Sequence, residues 1–272
     1  VKQPVALVTG GSSGIGQGIA RLLARNNFTV FAASRNPGKA DEIAGAELLP
    51  LDVTVDDSAS ACIDAVLARA GRLDALVNNA GYILQGAVEE TSMEEARVQF
   101  ETNLFGVMRM VRLVLPSMRR QRSGAIVNMS SLAGLVPGPP FCGVYSASKH
   151  ALEAYTAHLR REVRPFNIRV ALVEPGSIRT GLTANRVDAA QRLPEYDAWR
   201  RAALGALAEL EAKGPEPDRV APTVLAILTN PTPRLRNRVG RDAALVSRLH
   251  TLLPEPLFER SLKKIFHIEN MP

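Results

Sequence analysis

Short apolar runs alternate with longer stretches of helical periodicity along almost the whole chain. The first run, Pro4-Val5-Ala6-Leu7-Val8-Thr9, is nearly continuous rather than alternating, as expected of a strand covered on both faces. A glycine loop follows, and Gln17 to Asn26 then repeats at helical spacing. Thr29 to Ala33 reads as a second strand, Pro37 to Ala44 as a helix, Glu47 to Leu51 as a third strand and Asp56 to Ala70 as a helix. Leu73 to Val77 is a fourth, buried strand, and Met93 to Arg122 is long enough for one or two helices. Gly124 to Met129 supplies a fifth strand, a Gly/Pro-rich loop leads to a helix from Tyr145 to about Arg164, and Asn167 to Val173 is a sixth strand. Residues 177–214 mix polar and apolar positions and read as a mobile, largely helical lid, with Tyr196 and Trp199 open to either substrate contact or core packing. Asp218 to Thr229 is a further helix and Arg236 to Gly240 a seventh strand. Regular alternation of this kind predicts one doubly wound α/β domain over residues 1–272, with a parallel, seven-stranded sheet and helices on both faces.

Composition narrows the partners. The 272 residues are 46% hydrophobic, ample for a large core. The formal charge is +6, but the 33 basic residues are spread among 27 acidic ones and form no nucleic-acid module. Two cysteines, Cys62 and Cys142, offer neither metal-ligand spacing nor a disulfide framework, so the expectation is no metal and a reducing, cytoplasmic setting. The chain enters its first strand at once, which predicts no signal peptide, and no apolar run is long enough to span a bilayer.

The candidate chemistry gathers where strands end. Gly10-Gly11-Ser12-Ser13-Gly14-Ile15-Gly16 lies between a strand and a helix, where glycines admit a pyrophosphate and the helix N-terminus favours the anion. Its Gly-x3-Gly-x-Gly spacing departs from the common Gly-x-Gly-x2-Gly fingerprint. The second strand ends in Ser34-Arg35 rather than in an acidic residue, so Arg35 can hold a 2'-phosphate and NADP(H) is expected over NAD(H). Asp52-Val53 and Asn78-Asn79-Ala80-Gly81 follow the third and fourth strands, with Asp52 a candidate adenine contact or a turn former. Asn103 sits unfavourably inside a helix, where solvent or a backbone distortion must accommodate it. Ser131 leaves the fifth strand on the same edge, with Ser130 as its alternative. Tyr145 and Lys149 fall one turn apart on one helix face, where a cation can draw a phenol towards its ionised form.

These motifs, in this order and approximate spacing, together with Pro175-Gly176-x3-Thr180, resemble the short-chain dehydrogenase/reductases, over about 170 residues. The resemblance implies a Rossmann fold and a tetrad of Asn103, Ser131, Tyr145 and Lys149. Tyr145 would act as general acid/base, and Ser131 would orient the substrate oxygen. Lys149 would lower the phenol and bind the nicotinamide ribose, with Asn103 holding a water beside it. Pro175, Gly176, Ile178 and Thr180 would meet the nicotinamide end. A secondary alcohol, ketone or aldehyde of apolar character is the implied substrate, and a cofactor-sensing binding protein on the same fold is the alternative. The helices near 101–122 and 145–164 imply a homodimer or homotetramer. After the seventh strand, residues 241–272 form a helical extension. Its apolar face (Leu257, Phe258, Leu262, Ile265, Phe266) opposes Arg260, Lys263 and Lys264, and could cover the domain, a partner subunit or a membrane surface. The tail gives a weaker resemblance to the hydroxysteroid and retinol dehydrogenase-like branch.

Overall fold

The computed structural model describes residues 3–39, 41–179 and 186–269. In chain order the elements are β1 (Val5–Thr9), α1 (Gly14–Arg25), β2 (Thr29–Ser34), β3 (Ala46–Pro50), α2 (Asp56–Ala70), β4 (Ala75–Asn78) and β5 (Ile83–Gln85). Then come α3 (Met93–Phe100), α4 (Gly106–Gln121), β6 (Gly124–Met129), α5 (Gly143–Val163), β7 (Ile168–Pro175) and β8 (Arg186–Asp188). The chain closes with α6 (Asp197–Ala212), α7 (Ala221–Thr229), β9 (Arg236–Val239), α8 (Arg241–Leu252) and α9 (Glu255–Ile265). Seven strands pair in the order β3-β2-β1-β4-β6-β7-β9, every pair parallel. This is the doubly wound sheet that the alternation predicts.

The unbroken apolar strands follow from burial on both sides. In β1, Val5 and Leu7 pack with Phe31, Leu76 and Ile126 against α2, α4 and α5, while Ala6 and Val8 join Val30, Val77 and Val127 against α1 and α7. A one-residue slip would exchange these two faces, so the register that sets Leu7 beside Phe31 and Leu76 is firmly specified.

Strand order reverses between β1 and β4, and the loops leaving these two strands are clasped together. The Thr9 hydroxyl accepts hydrogen bonds from the backbone N–H of Asn79 and of Ala80, each at 3.0 Å. In return the Asn79 side-chain amide donates to the carbonyls of Thr9 (3.0 Å) and Gly10 (3.1 Å). Glycine is required beneath this clasp. A Cβ on Gly16 would lie 2.2 Å from the Gly10 carbonyl oxygen, and Gly10 itself has φ +62° with Ala80 pressed against it.

One expectation needs correction and two are sharpened. Among the described residues of 37–44 there is no α-helix, only the 3₁₀ turn Pro37–Lys39, because the segment has one deeply buried anchor, Ile43, and no apolar stripe to hold a helix on the sheet. The stretch from Met93 is interrupted by a π-helical turn, Glu101–Phe105, centred on Asn103, so a backbone distortion rather than solvent accommodates that residue. The region after β7 is not wholly helical among its described residues: β8 pairs in parallel with β5 as a separate two-stranded sheet.

Thr9→Val is isosteric but strands the N–H groups of Asn79 and Ala80. It is expected to lower stability by roughly 1–3 kcal/mol for each unsatisfied donor. Urea unfolding checks this, as a lower midpoint with an unchanged slope.

Candidate active site

α5 carries the centre of the site. Tyr145 and Lys149 stand one turn apart, and the Lys149 ammonium lies 5.8 Å from the centre of the Tyr145 ring. Lys149 is only 7% exposed and donates to the Met129 carbonyl at the end of β6, at 2.8 Å. Ser131, two residues further, turns its hydroxyl towards the phenol and also accepts from the Ala133 N–H at 3.2 Å. Ser130 differs: its hydroxyl is buried without a partner beneath Gly134. Asn103 is fully buried behind this row. Its amide donates to the Tyr82 carbonyl (3.1 Å) and the Ser148 hydroxyl (3.2 Å), and its oxygen accepts from the Tyr82 N–H (3.2 Å). The π-turn therefore ties the loop after β4 to the catalytic face of α5.

Electrostatics set the resting state of this centre. Burial pushes the Tyr145 phenol up to about 12, and the hydrogen bond with Ser131 offsets only part of this. Burial drives Lys149 the other way, down to about 8, against the pull of Glu153. Burial therefore sets the direction of both shifts. At neutral pH Tyr145 is thus a protonated phenol, suited to give a proton.

These groups open onto one cleft of about 1060 Å³ along the carboxyl ends of the strands. Its nucleotide arm begins at Gly10, Ser12, Ser13 and Ile15, passes Ser34, Arg35, Asp52 and Val53, and reaches Asn79, Ala80 and Gly81. The start of α1 has neither a side-chain cap nor an acidic residue in its first turn, leaving its amide groups to an anion. The Ser34 hydroxyl is buried without a partner beside Arg35, which has no carboxylate partner among the described residues. Burial pushes Asp52 up, yet hydrogen bonds from Thr54 and the charges of Arg35 and Arg109 hold it below the ordinary carboxylate range. Pro175, Gly176 and Ile178 line the far side of Tyr145 and Lys149. These features fit a nicotinamide dinucleotide.

Some candidates act from behind the wall. Gly14, Gly16 and Asn103 shape the loops without lining the cleft, and Thr180 lies outside the described residues. Tyr196 and Trp199 do not line it either: Trp199 packs near Phe141, Ala203 and Phe266, and Tyr196 bonds Glu89 and meets Phe141 edge-on. Cys142 is buried, and burial pushes its thiol up to about 11.

Two wall residues were assigned no site role from the sequence. The Asp242 carboxylate accepts from the Ser177 N–H at 2.6 Å and sits where a Gly176 Cβ would go. Its sequence signal is an acidic first-turn residue directly after β9. Glu211 is the other, paired with Arg186. Its signal is a lone charge on the Leu207–Leu210 stripe of α6. The tail is also placed in part: Leu262 and Ile265 of α9 and the following Phe266 line the cleft, so this part of the apolar face lies on its own domain, while Leu257 is exposed.

Residues 4–191 match the family model described as short chain dehydrogenase. The chain belongs to that family. It is 35% identical over 268 residues to a 3-ketodihydrosphingosine reductase of Bacteroides thetaiotaomicron, covering 97% of this chain and 98% of that protein. It is 38% identical over 255 residues to retinol dehydrogenase 8 of Bos taurus, covering 86% and 80% of the two. Among solved structures, a metagenomic short-chain oxidoreductase in complex with NADP matches with a TM-score of 0.68, 31% identity and coverage of 87% and 95%. One from Burkholderia phymatum in complex with NAD matches at 0.78, 26% identity, and 92% and 93% coverage. The chain is thus an oxidoreductase built for a nicotinamide cofactor. No helix among the described residues is long and apolar enough to cross a membrane.

Lys149 carries a pH signature. Its folded value of about 8 is depressed, so between that and an unfolded value of about 10.4 the unfolded chain binds more protons and stability rises with pH. Replacing it by methionine removes this contribution. The stability of Lys149→Met relative to the parent is expected to fall by about 3 kcal/mol from pH 7 to pH above 10, measured by denaturant titration at each pH.

Proposed function

We propose that this protein transfers hydride between NADP(H) and an apolar secondary alcohol, ketone or aldehyde, with Tyr145 as the acid/base group. The observation that carries this reading is the convergence of the Tyr145 phenol, the Ser131 hydroxyl and Lys149 on one cleft whose nucleotide arm ends at Arg35 and an unpartnered Ser34 hydroxyl. When bound, the reduced nicotinamide supplies the hydride. Every other requirement falls on the chain. Ser131 donates to the substrate oxygen and fixes the carbonyl beside Tyr145. The phenol, protonated at neutral pH, gives its proton to that oxygen, completing the alcohol; in oxidation the phenolate takes the proton back. Lys149 would hold the nicotinamide ribose, and the open amide groups of α1 the pyrophosphate. Arg35 and Ser34 would hold a 2'-phosphate, which an acidic residue at that position would repel.

The apolar character of the substrate rests on the other arm of the cleft. Leu84, Val98 and Val136 line it from one side, and Leu207, Leu210 and Leu262 from the helical side. Such walls bind by burial of hydrocarbon surface, worth about 25 cal/mol per Å². The names of the two relatives, a ketosphingoid reductase and a retinol dehydrogenase, agree with a lipid-like carbonyl or alcohol.

Tyr145→Phe is expected to cut turnover by roughly 10²–10⁴-fold, the usual reach of a general acid. NADPH binding, followed by its fluorescence, should be unchanged; retained turnover would exclude Tyr145 from proton transfer. Arg35→Asp is expected to lower the ratio of kcat/KM with NADPH to that with NADH by roughly 10- to 100-fold, the loss of a charge-assisted contact. An unchanged ratio would refute the assigned 2'-phosphate site.

A further inference from the structure

A charged cluster lies behind the centre, on the sheet face that α5 covers, and none of its four members lines the cleft. Glu153 follows Lys149 by one turn of α5, and the two residues are 5% and 7% exposed. Positions four apart on a helix share a face, so the carboxylate and the ammonium are buried side by side. Glu174 ends β7 directly before Pro175 and is fully buried. From the edge strand β9, Arg236 donates to one Glu153 oxygen at 2.9 Å and lies 3.5 Å from Glu174, while Arg238 lies 3.6 Å from Glu174. The second Glu153 oxygen is buried without a partner among the described residues.

Lys149 shows the complementary shortage. An ammonium has three N–H groups, and the Met129 carbonyl, at 2.8 Å, is the hydrogen-bond partner found for it among the described residues. A buried cation held by a carbonyl needs an opposite charge nearby to keep its proton. Glu153 supplies one: its charge pulls Lys149 up, although burial still leaves the lysine at about 8. The other groups around this point do not compete for the role. Tyr145 is neutral, Glu211 and Arg186 act on Tyr145, and Glu174, pushed up to about 7 by burial and by Glu153, faces Arg236 and Arg238.

We propose that Glu153 is the counter-ion that keeps Lys149 charged, and that Arg236 holds this carboxylate from the edge strand and shares its charge. Glu153 touches neither substrate nor cofactor, so it is a positioning residue that acts through Lys149. Its consequence for catalysis rests on the hydride transfer proposed above: the charge on the lysine that would hold the nicotinamide ribose is set from behind the cleft. The pairing itself is a property of the chain alone.

Titration of Lys149 in the full chain, without cofactor, tests this directly. The readout is the ε-carbon resonance of lysine-labelled protein, identified by its loss in Lys149→Met. Glu153→Gln keeps the size of the side chain and an oxygen for Arg236 but removes the charge. It is expected to move the Lys149 midpoint down from about 8 by about 1 to 3 pH units, the usual effect of a close opposite charge. Glu174→Gln alters the same cluster without removing the counter-ion and is expected to leave the midpoint in place. A cluster that only packs the domain predicts no movement in either variant, and that result would overturn the proposal, as would an equal fall in both. Arg236→Gln, at an exposed position, releases Glu153 towards Lys149 and is expected to raise the midpoint; no rise would overturn the proposal even if Glu153→Gln failed to fold. Turnover is the second readout. The alkaline limb of kcat/KM with NADPH is expected to move to lower pH in Glu153→Gln together with the Lys149 midpoint, and a limb that stays in place would overturn the link to catalysis. A midpoint that moves as expected while no carbonyl is reduced by any variant or by the parent would instead refute the proposed reaction and leave the counter-ion standing.

Discussion

The clasp between Thr9 and Asn79 is the constraint on which the site depends. It joins the loops of β1 and β4 at the point where the sheet reverses direction, and both halves of the cleft are measured from it. One side of the clasp presents the Gly10 loop and the open N-terminus of α1. The other leads through Gly81 and Tyr82 to Asn103, and from Asn103 to α5. Four hydrogen bonds and the contact beneath Gly16 therefore set the distance between the nucleotide arm and the proton donor. Thr9 is buried and its partners are half-buried, so breaking the clasp leaves polar groups short of partners.

The π-turn at Asn103 extends the same frame. An asparagine in a helix disturbs it, and here the disturbance is used: the side chain satisfies both the N–H and the carbonyl of Tyr82 while bonding Ser148, the residue beside Lys149. A regular helix with leucine at this position would pack but would leave the Tyr82 backbone groups without those partners. Strain at one turn is exchanged for the placement of two others.

The electrostatics of the centre follow from burial more than from pairing. Tyr145 is driven up and Lys149 down, each towards its neutral form. A phenol that holds its proton suits the reductive direction. The C-terminal extension forms another side of the site. Leu262, Ile265 and Phe266 line the cleft from this side.

The sequence alone determined the strand-helix alternation, the parallel sheet and the residues whose roles depend on local geometry. Unbroken apolar runs such as Val5–Thr9 can be buried only on both faces, and Tyr145 and Lys149 must share a face once their segment is helical. It also determined Arg35, because the position after the second strand is fixed by chain order. Tertiary structure decided the rest. Residues 37–44 bury a single anchor, Ile43, and no apolar stripe, Trp199 found the core rather than the cleft, and the Tyr145 phenol is pushed up because the closed domain buries it. Asp242 lies 65 residues in sequence from Ser177, which it holds, and Glu211 lies 25 from Arg186, with which it pairs. Periodicity does not register such neighbours, because only the closure of the chain brings them together.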